Sequence, residues 1–189
     1  MANTVANVSA GKPSIDGAIW RAPIGTTLPT DATTALDVAF ACLGYVSEDG
    51  LTNSKTLETE TVKAWGGDDV LTTQTDKSNT WQYTLIEYLN TEVLKMVYGD
   101  DNVTGTLSTG ITVTSDSAEL DEAVYVVELA LRGGVKERIV MPRGSITEFG
   151  DVTYTDNGAT GYPITLKSMP GGFTGAPSAD HKKYIKQVS

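Results

Sequence analysis

The stretch from Pro13 to Ser54 constrains this chain more than any other, being too apolar for a linker and too broken for a regular core element. Pro13, Pro23 and Pro29, with Gly17, Gly25, Gly44 and Gly50, interrupt any long helix or strand. Ile15, Ile19, Trp20, Ile24, Leu28, Leu36, Phe40, Leu43 and Tyr45 nevertheless need burial. An extended arm laid across a surface satisfies both demands. That surface can belong to another copy of the chain or to the chain's own sheet, and from the residues alone both arrangements stay open.

A chain of 189 residues suffices for one buried core with arms attached. With 40% hydrophobic and 20% charged residues it has enough apolar surface to fold, and its many Thr and Gly residues favour strands and turns. The formal charge of −10 opposes a grip on nucleic acid, because neutralising phosphates needs a Lys/Arg surface. Lys182, Lys183 and Lys186 near the C-terminus are expected to solvate a tail. The opening MANTVANVSAG carries neither a basic nor an apolar run, and no stretch approaches the roughly 20 apolar residues of a membrane span. Cys42, the single cysteine, reads as a small buried apolar residue.

Past the arm, Thr56 to Ala64 reads as a Thr-rich strand ending in the turn Trp65-Gly66-Gly67-Asp68-Asp69. Val70–Thr75 and Asn79–Leu89 read as two strands about a turn at Asp76-Lys77-Ser78, with Trp81, Tyr83, Leu85 and Leu89 on one face. Residues 91–98 predict a helix. Asn90 caps it, Glu92 meets the positive end of its dipole, and Gly99 ends it in a left-handed conformation. Val93, Leu94, Met96 and Val97 give this helix one face for a sheet.

Gly110–Ser115, Ala123–Arg132 and Val135–Met141 predict further strands. A three-residue loop including Arg132 pairs Leu131 with Val135, Val127 with Ile139 and Tyr125 with Met141, which gives the more consistent apolar face. A last hairpin is expected about Asp156-Asn157-Gly158, between Val152/Tyr154 and Tyr162/Ile164/Leu166, and then a tail. The expected organisation is an N-terminal arm with first strands (1–55), a β-sandwich or partly closed barrel with one flanking helix (56–170), and a C-terminal tail (171–189).

The search for chemistry returns absences. His181, the sole histidine, lies in the expected tail without a nucleophile motif and reads as a solvated surface group. The acidic groups Glu48/Asp49, Asp68/Asp69, Asp100/Asp101 and Asp116/Glu119/Asp121/Glu122 lack the spacing of a calcium loop and read as turn chemistry and solvated negative surface. No catalytic, metal or cofactor site is expected.

The run IDGAIWRAPIGTTLPTDATTALDVAFACLGYVSEDGLTNS, the Thr-rich strand, then AWGGDDV and WQYTLIEYLNTEVLKMVYGDDNVTG, closely resembles the major tail proteins of long-tailed phages with non-contractile tails. The resemblance is strongest from Ile15 to Gly105. It implies a tail-tube fold, subunits joined into hexameric rings, and rings stacked about a tape-measure protein into a tube that ends at terminator and tip proteins. It also implies assembly in the host cytoplasm and a genome that passes without specific binding. Extended segments with unpaired apolar groups are then the expected subunit contacts: Ile15, Trp20, Ile24 and Leu28 in the arm, Trp65, Asp68 and Asp69 at the turn, and Tyr184 and Ile185 in the tail. Trp20 can equally anchor the core. Removing residues 1–30 is expected to abolish polymerisation and leave the sandwich intact. The alternative is a monomeric β-sandwich binding module, such as a capsid decoration or adhesin-like domain.

Overall fold

Period-two and β-branched runs dominate, and in the computed structural model, which describes residues 3–188, they form eleven strands. These are β1 (Gly11–Pro13), β2 (Ile19–Pro23), β3 (Ala41–Cys42), β4 (Thr52–Lys63), β5 (Asp69–Leu85), β6 (Val103–Thr106), β7 (Gly110–Val113), β8 (Ala123–Leu131), β9 (Val135–Phe149), β10 (Tyr162–Met169) and β11 (Lys182–Gln187). The helix α1 (Thr91–Tyr98) lies between β5 and β6. Residues 1, 2 and 189, at the outer limits of the expected arm and tail, lie outside the described residues.

Nine strands make one antiparallel sheet of order β3-β2-β8-β9-β10-β5-β4, with β1 added on β8 and β11 on β9. The sheet curls until its ends meet. Just past β3, Ser47 N–H donates to Thr84 O (2.9 Å) and Ile86 N–H to Tyr45 O (3.0 Å), so the segment that leaves the β2 edge runs beside the end of β5. The result is a β-sandwich-like, partly closed barrel with one flanking helix. Strands β6 and β7 form a separate small sheet next to α1.

β8 is buried continuously from Ala123 to Val127 because both of its faces are covered. Ala123, Tyr125 and Val127 face the inner core with Ile19, Trp81, Tyr83, Leu85, Ile139, Met141, Ile164 and Leu166, closed on its flank by Val93, Leu94 and Met96 of α1. Val124, Val126 and Val140 face outward, where Leu28, Leu36, Phe40, Phe173 and Tyr184 cover them. The β8–β9 register pairs Leu131 with Val135, Val127 with Ile139 and Tyr125 with Met141, as the three-residue loop requires. Gly144 of β9 has no room for a side chain, since a Cβ there would stand 2.5 Å from the Tyr125 ring.

Four local expectations are corrected. Asp76-Lys77-Ser78 is not a turn: β5 runs unbroken from Asp69 to Leu85, and a register shift between Glu58 and Thr59 absorbs the irregularity as a bulge. Leu89 therefore lies off the strand and is exposed. Gly99 has φ 98° and ψ 146°, a positive-φ conformation outside the left-handed helical region, although its N–H still closes the helix on Lys95 O. Residues 150–161 are a loop, so the last hairpin is β9–β10 and its strands are longer and farther apart than Val152 and Tyr154 suggested.

Candidate assembly surfaces

The segment read as an arm begins inside the sheet. β2 pairs along β8 from Ile19↔Val127 to Pro23↔Ala123, and Ile19 and Ala22 are fully buried. Only the next part behaves as an extended strap, crossing the outer face of β8 and β9. Asp31 shapes it locally, accepting from the amides of Thr33 and Thr34 (both 2.6 Å) and from the Thr34 hydroxyl. Those bonds, the Thr34 hydroxyl foremost, hold the Asp31 carboxyl far below the usual carboxylate range. Arg138 of β9 then pins the turn: Nη1 donates to Asp31 O (2.9 Å) and Thr34 O (2.8 Å), and Nε donates to Glu128 Oε1 (2.8 Å).

The expected C-terminal tail is likewise structural. β11 pairs with β9 from Lys182↔Val140 to Gln187↔Val135. The residues before it make a clasp, in which His181 Nδ1 bonds Asp180 (2.8 Å), Asp180 accepts from Asn79, and the imidazole meets the Trp81 ring edge-on at 5.3 Å. His181 is thus half-buried, not the solvated group its position suggested; the Trp81 strand reaches it from the core. Burial lowers the His181 pKa, helped by Lys55 and Lys183 and opposed by Asp180. Burial raises Asp180, but the Asn79 hydrogen bond and the His181 ring outweigh it and leave the carboxyl below its ordinary value.

Both shifts are downward, so the unfolded chain takes up these protons more readily than the folded one. The clasp contributes its full stability above the ordinary imidazole value of 6.5 and loses it as pH falls through the lower folded value, Asp180 following in more acid solution. Acidification from pH 7 to 5 is expected to lower the hydrogen-exchange protection factors of the β11 amides, the rates being corrected for the slower base-catalysed intrinsic exchange, and His181→Gln should flatten that dependence. Unchanged protection factors across the range would show that the clasp does not hold the strand.

The largest projection is the β4–β5 hairpin. Every residue from Ser54 to Lys77 is exposed, so at about 3.3 Å per residue the paired strands carry the tip some 25 Å beyond the core. It is closed by Ala64 N–H on Asp68 O (2.8 Å) and Gly67 N–H on Ala64 O (3.0 Å), with positive φ at Gly66 and Gly67 supplying the reversal. Leu57, Val62, Trp65, Val70 and Leu71 are all at least half exposed, and Trp65 is 106% exposed. Val62 and Leu71 are cross-strand partners, so they form one apolar patch near the tip.

The structure sorts the expected contact residues into separate places. Trp65, Asp68 and Asp69 gather at the hairpin tip, where Asp69 accepts from Lys63 (2.7 Å). Ile24, Leu28 and Tyr184 line one groove between the strap and the C-terminal segment. Trp20 sits half-buried in β2 against the outer cluster. Ile15 is 102% exposed beside Cys42 and Tyr45, and Ile185 is exposed on β11. Arg138 was missed, yet the register that pairs Tyr125 with Met141 also sets Glu128 opposite Arg138, an ion pair on a face otherwise apolar at Val140.

Among the described residues no group of three or more His, Cys, Asp or Glu is placed to hold a metal ion, and no helix is long and apolar enough to cross a membrane. A curled sheet that carries half-exposed apolar side chains outward on a paired hairpin has the form of a protein with a surface for contact with other chains. A family model described as phage tail tube protein matches residues 3–179, and the chain belongs to the phage tail tube protein family. It is a structural component of the virion tail, of a family that self-assembles into the tube and is not a family of enzymes. A search of the curated proteins finds no match.

Proposed function

We propose that copies of this chain join into rings, six to a ring, and that the rings stack around a tape-measure protein between tip and terminator proteins. After assembly in the host cytoplasm the tube serves as the conduit for genome ejection. The observation that carries this reading is the β4–β5 hairpin, whose apolar residues are at least half exposed within the chain and whose outer edge along β4 pairs with no strand among the described residues. The charge of −10 supports passage of a polyanion without capture. Subunit contacts fall at the hairpin tip, along the strap at Ile24 and Leu28, and on β11, with Ile15 ahead of β2 and the partly exposed Trp20 within it as further contacts.

Removal of residues 1–30 is a poor test, because it strips β2 with Ile19 and Ala22 from the core. Replacing residues 57–77 by Asn-Gly closes the hairpin directly on the Thr56↔Ser78 pair and leaves the buried half of β5 untouched. This variant is expected to keep a folded, β-type circular dichroism spectrum and the melting of the full chain, and to form no rings or tubes in electron micrographs over a concentration series. Tubes formed normally by the shortened chain, or a full chain that stays monomeric at every concentration, would overturn the reading. The latter would favour a binding module.

A further inference from the structure

The hairpin tip is in water in its own chain, and one groove of the molecule is matched to it. We propose that the tip Ala64–Asp69 docks in the groove between strap and C-terminal segment of another copy, Trp65 against Ile24, Leu28, Phe173 and Tyr184, with Asp68 facing Lys182. This assigns the socket for the hairpin and rests on the reading that the hairpin joins copies.

The first argument is complementarity of charge. The chain holds 24 acidic and 14 basic residues, so a depression free of carboxylates is unusual on its surface. This groove has none: its charged lining residues are Arg143 and Lys182. The four other depressions described each include at least one Asp or Glu. Arg143 is already paired with Glu122 (2.7 Å), whereas Lys182 has no carboxylate partner among the described residues and lies 4.5 Å over the Phe173 ring. At the tip the pattern is reversed. Asp69 is taken by Lys63 (2.7 Å), and Asp68 has no ion pair among the described residues. One unpaired acid on the tip thus meets one unpaired base in the groove.

The second argument is shape and polarity. The groove has a volume of about 530 Å³ and a wall of Ile24, Leu28, Pro29, Val124, Phe173 and Tyr184, within the range of pockets that enclose aromatic groups. A fully exposed indole presents about 200 Å² to water and gains most from such a seat. The hairpin extends from β4 and β5, while the groove lies over β2, β8 and β9, with β10 between β9 and β5. With residues 54–77 all exposed, the tip does not occupy its own groove, so the groove it fits belongs to a second copy.

Charge reversal tests the pairing. Asp68→Lys and Lys182→Asp are each expected to raise the critical concentration for polymerisation at least tenfold, measured by sedimentation, and the double variant is expected to recover most of the loss. Trp65→Ala, at a residue with no packing to lose, should raise it by a similar factor with unchanged melting. An unchanged critical concentration for Trp65→Ala would overturn the socket whether or not the Lys182 variant folds. Two defective single variants without recovery in the double would do the same, placing the tip elsewhere on the neighbour. If the chain with the shortened hairpin polymerises normally, the underlying reading fails; if only the reversal fails, the hairpin still joins copies through another surface.

Discussion

Arg138→Ala is expected to lower the stability of the chain by about 3 kcal/mol, at the low end of what breaking a buried ion pair costs. The side chain of Arg138 is 5% exposed and that of Glu128 is 18% exposed, so the orphaned carboxylate keeps some contact with water. The same change strips the donor from Asp31 O and Thr34 O and so frees the strap from β9. For a domain of this size the melting temperature should fall by about 6–12 °C. A double variant, Glu128→Leu with Arg138→Met, should recover part of this by apolar packing. It should not recover all of it, because the two strap carbonyls remain without their donor. Thermal denaturation of the three chains decides the matter, and a loss below about 1 kcal/mol for Arg138→Ala would mean that the clamp does not hold the strap.

Trp81→Ala is expected to cost more, about 3–5 kcal/mol, as for other large aromatic residues removed from a packed core. The indole is 1% exposed, its Nε1 donates to Ser168 Oγ (3.3 Å), and its edge contact with His181 ties the C-terminal segment to the inner core. A second effect separates this residue from an ordinary core side chain. With the indole gone, His181 gains water, and its pKa should rise back toward the ordinary imidazole value, readable as a shift in its proton NMR titration. A Trp81→Ala chain that melts within a degree or two of the parent, or whose His181 titration does not move, would contradict the packing described.

How far the sequence could be read depends on the distance over which each feature is decided. The helix 91–98 and the β8–β9 register were legible because they rest on local capping and on one apolar face. The Asn90 side chain accepts from Glu92 N–H (3.0 Å), as the cap requires. The turn at Asp76-Lys77-Ser78 was misread because turn-forming residues are overruled when a full-length partner strand offers ladder bonds, and β4 does so from Thr52 to Lys63. The C-terminal strand was misread for a similar reason: nothing local in HKKYIKQ demands pairing, and the demand comes from the open edge of β9. The arm was legible as extended and apolar. That its first strand enters the core follows only from β8, about a hundred residues away, which no periodicity in residues 13–54 reveals.

That last separation governs how a subunit is made. β1 and β2 are synthesised first and pair with β8, Gly11 opposite Leu131 and Trp20 opposite Val126. At about 5–20 residues per second, a ribosome needs on the order of ten seconds to deliver the partner of Trp20. During that interval the two-residue strand β3, at Trp20↔Cys42 and Arg21↔Ala41, is the only sheet neighbour of β2 yet made among the described residues. Closure also waits for the last strand, since β11 completes the edge of β9. Non-local pairing of this kind slows folding, and a nascent chain cannot complete its sheet, and with it the C-terminal side of the groove at Lys182 and Tyr184, until almost its whole length has been translated.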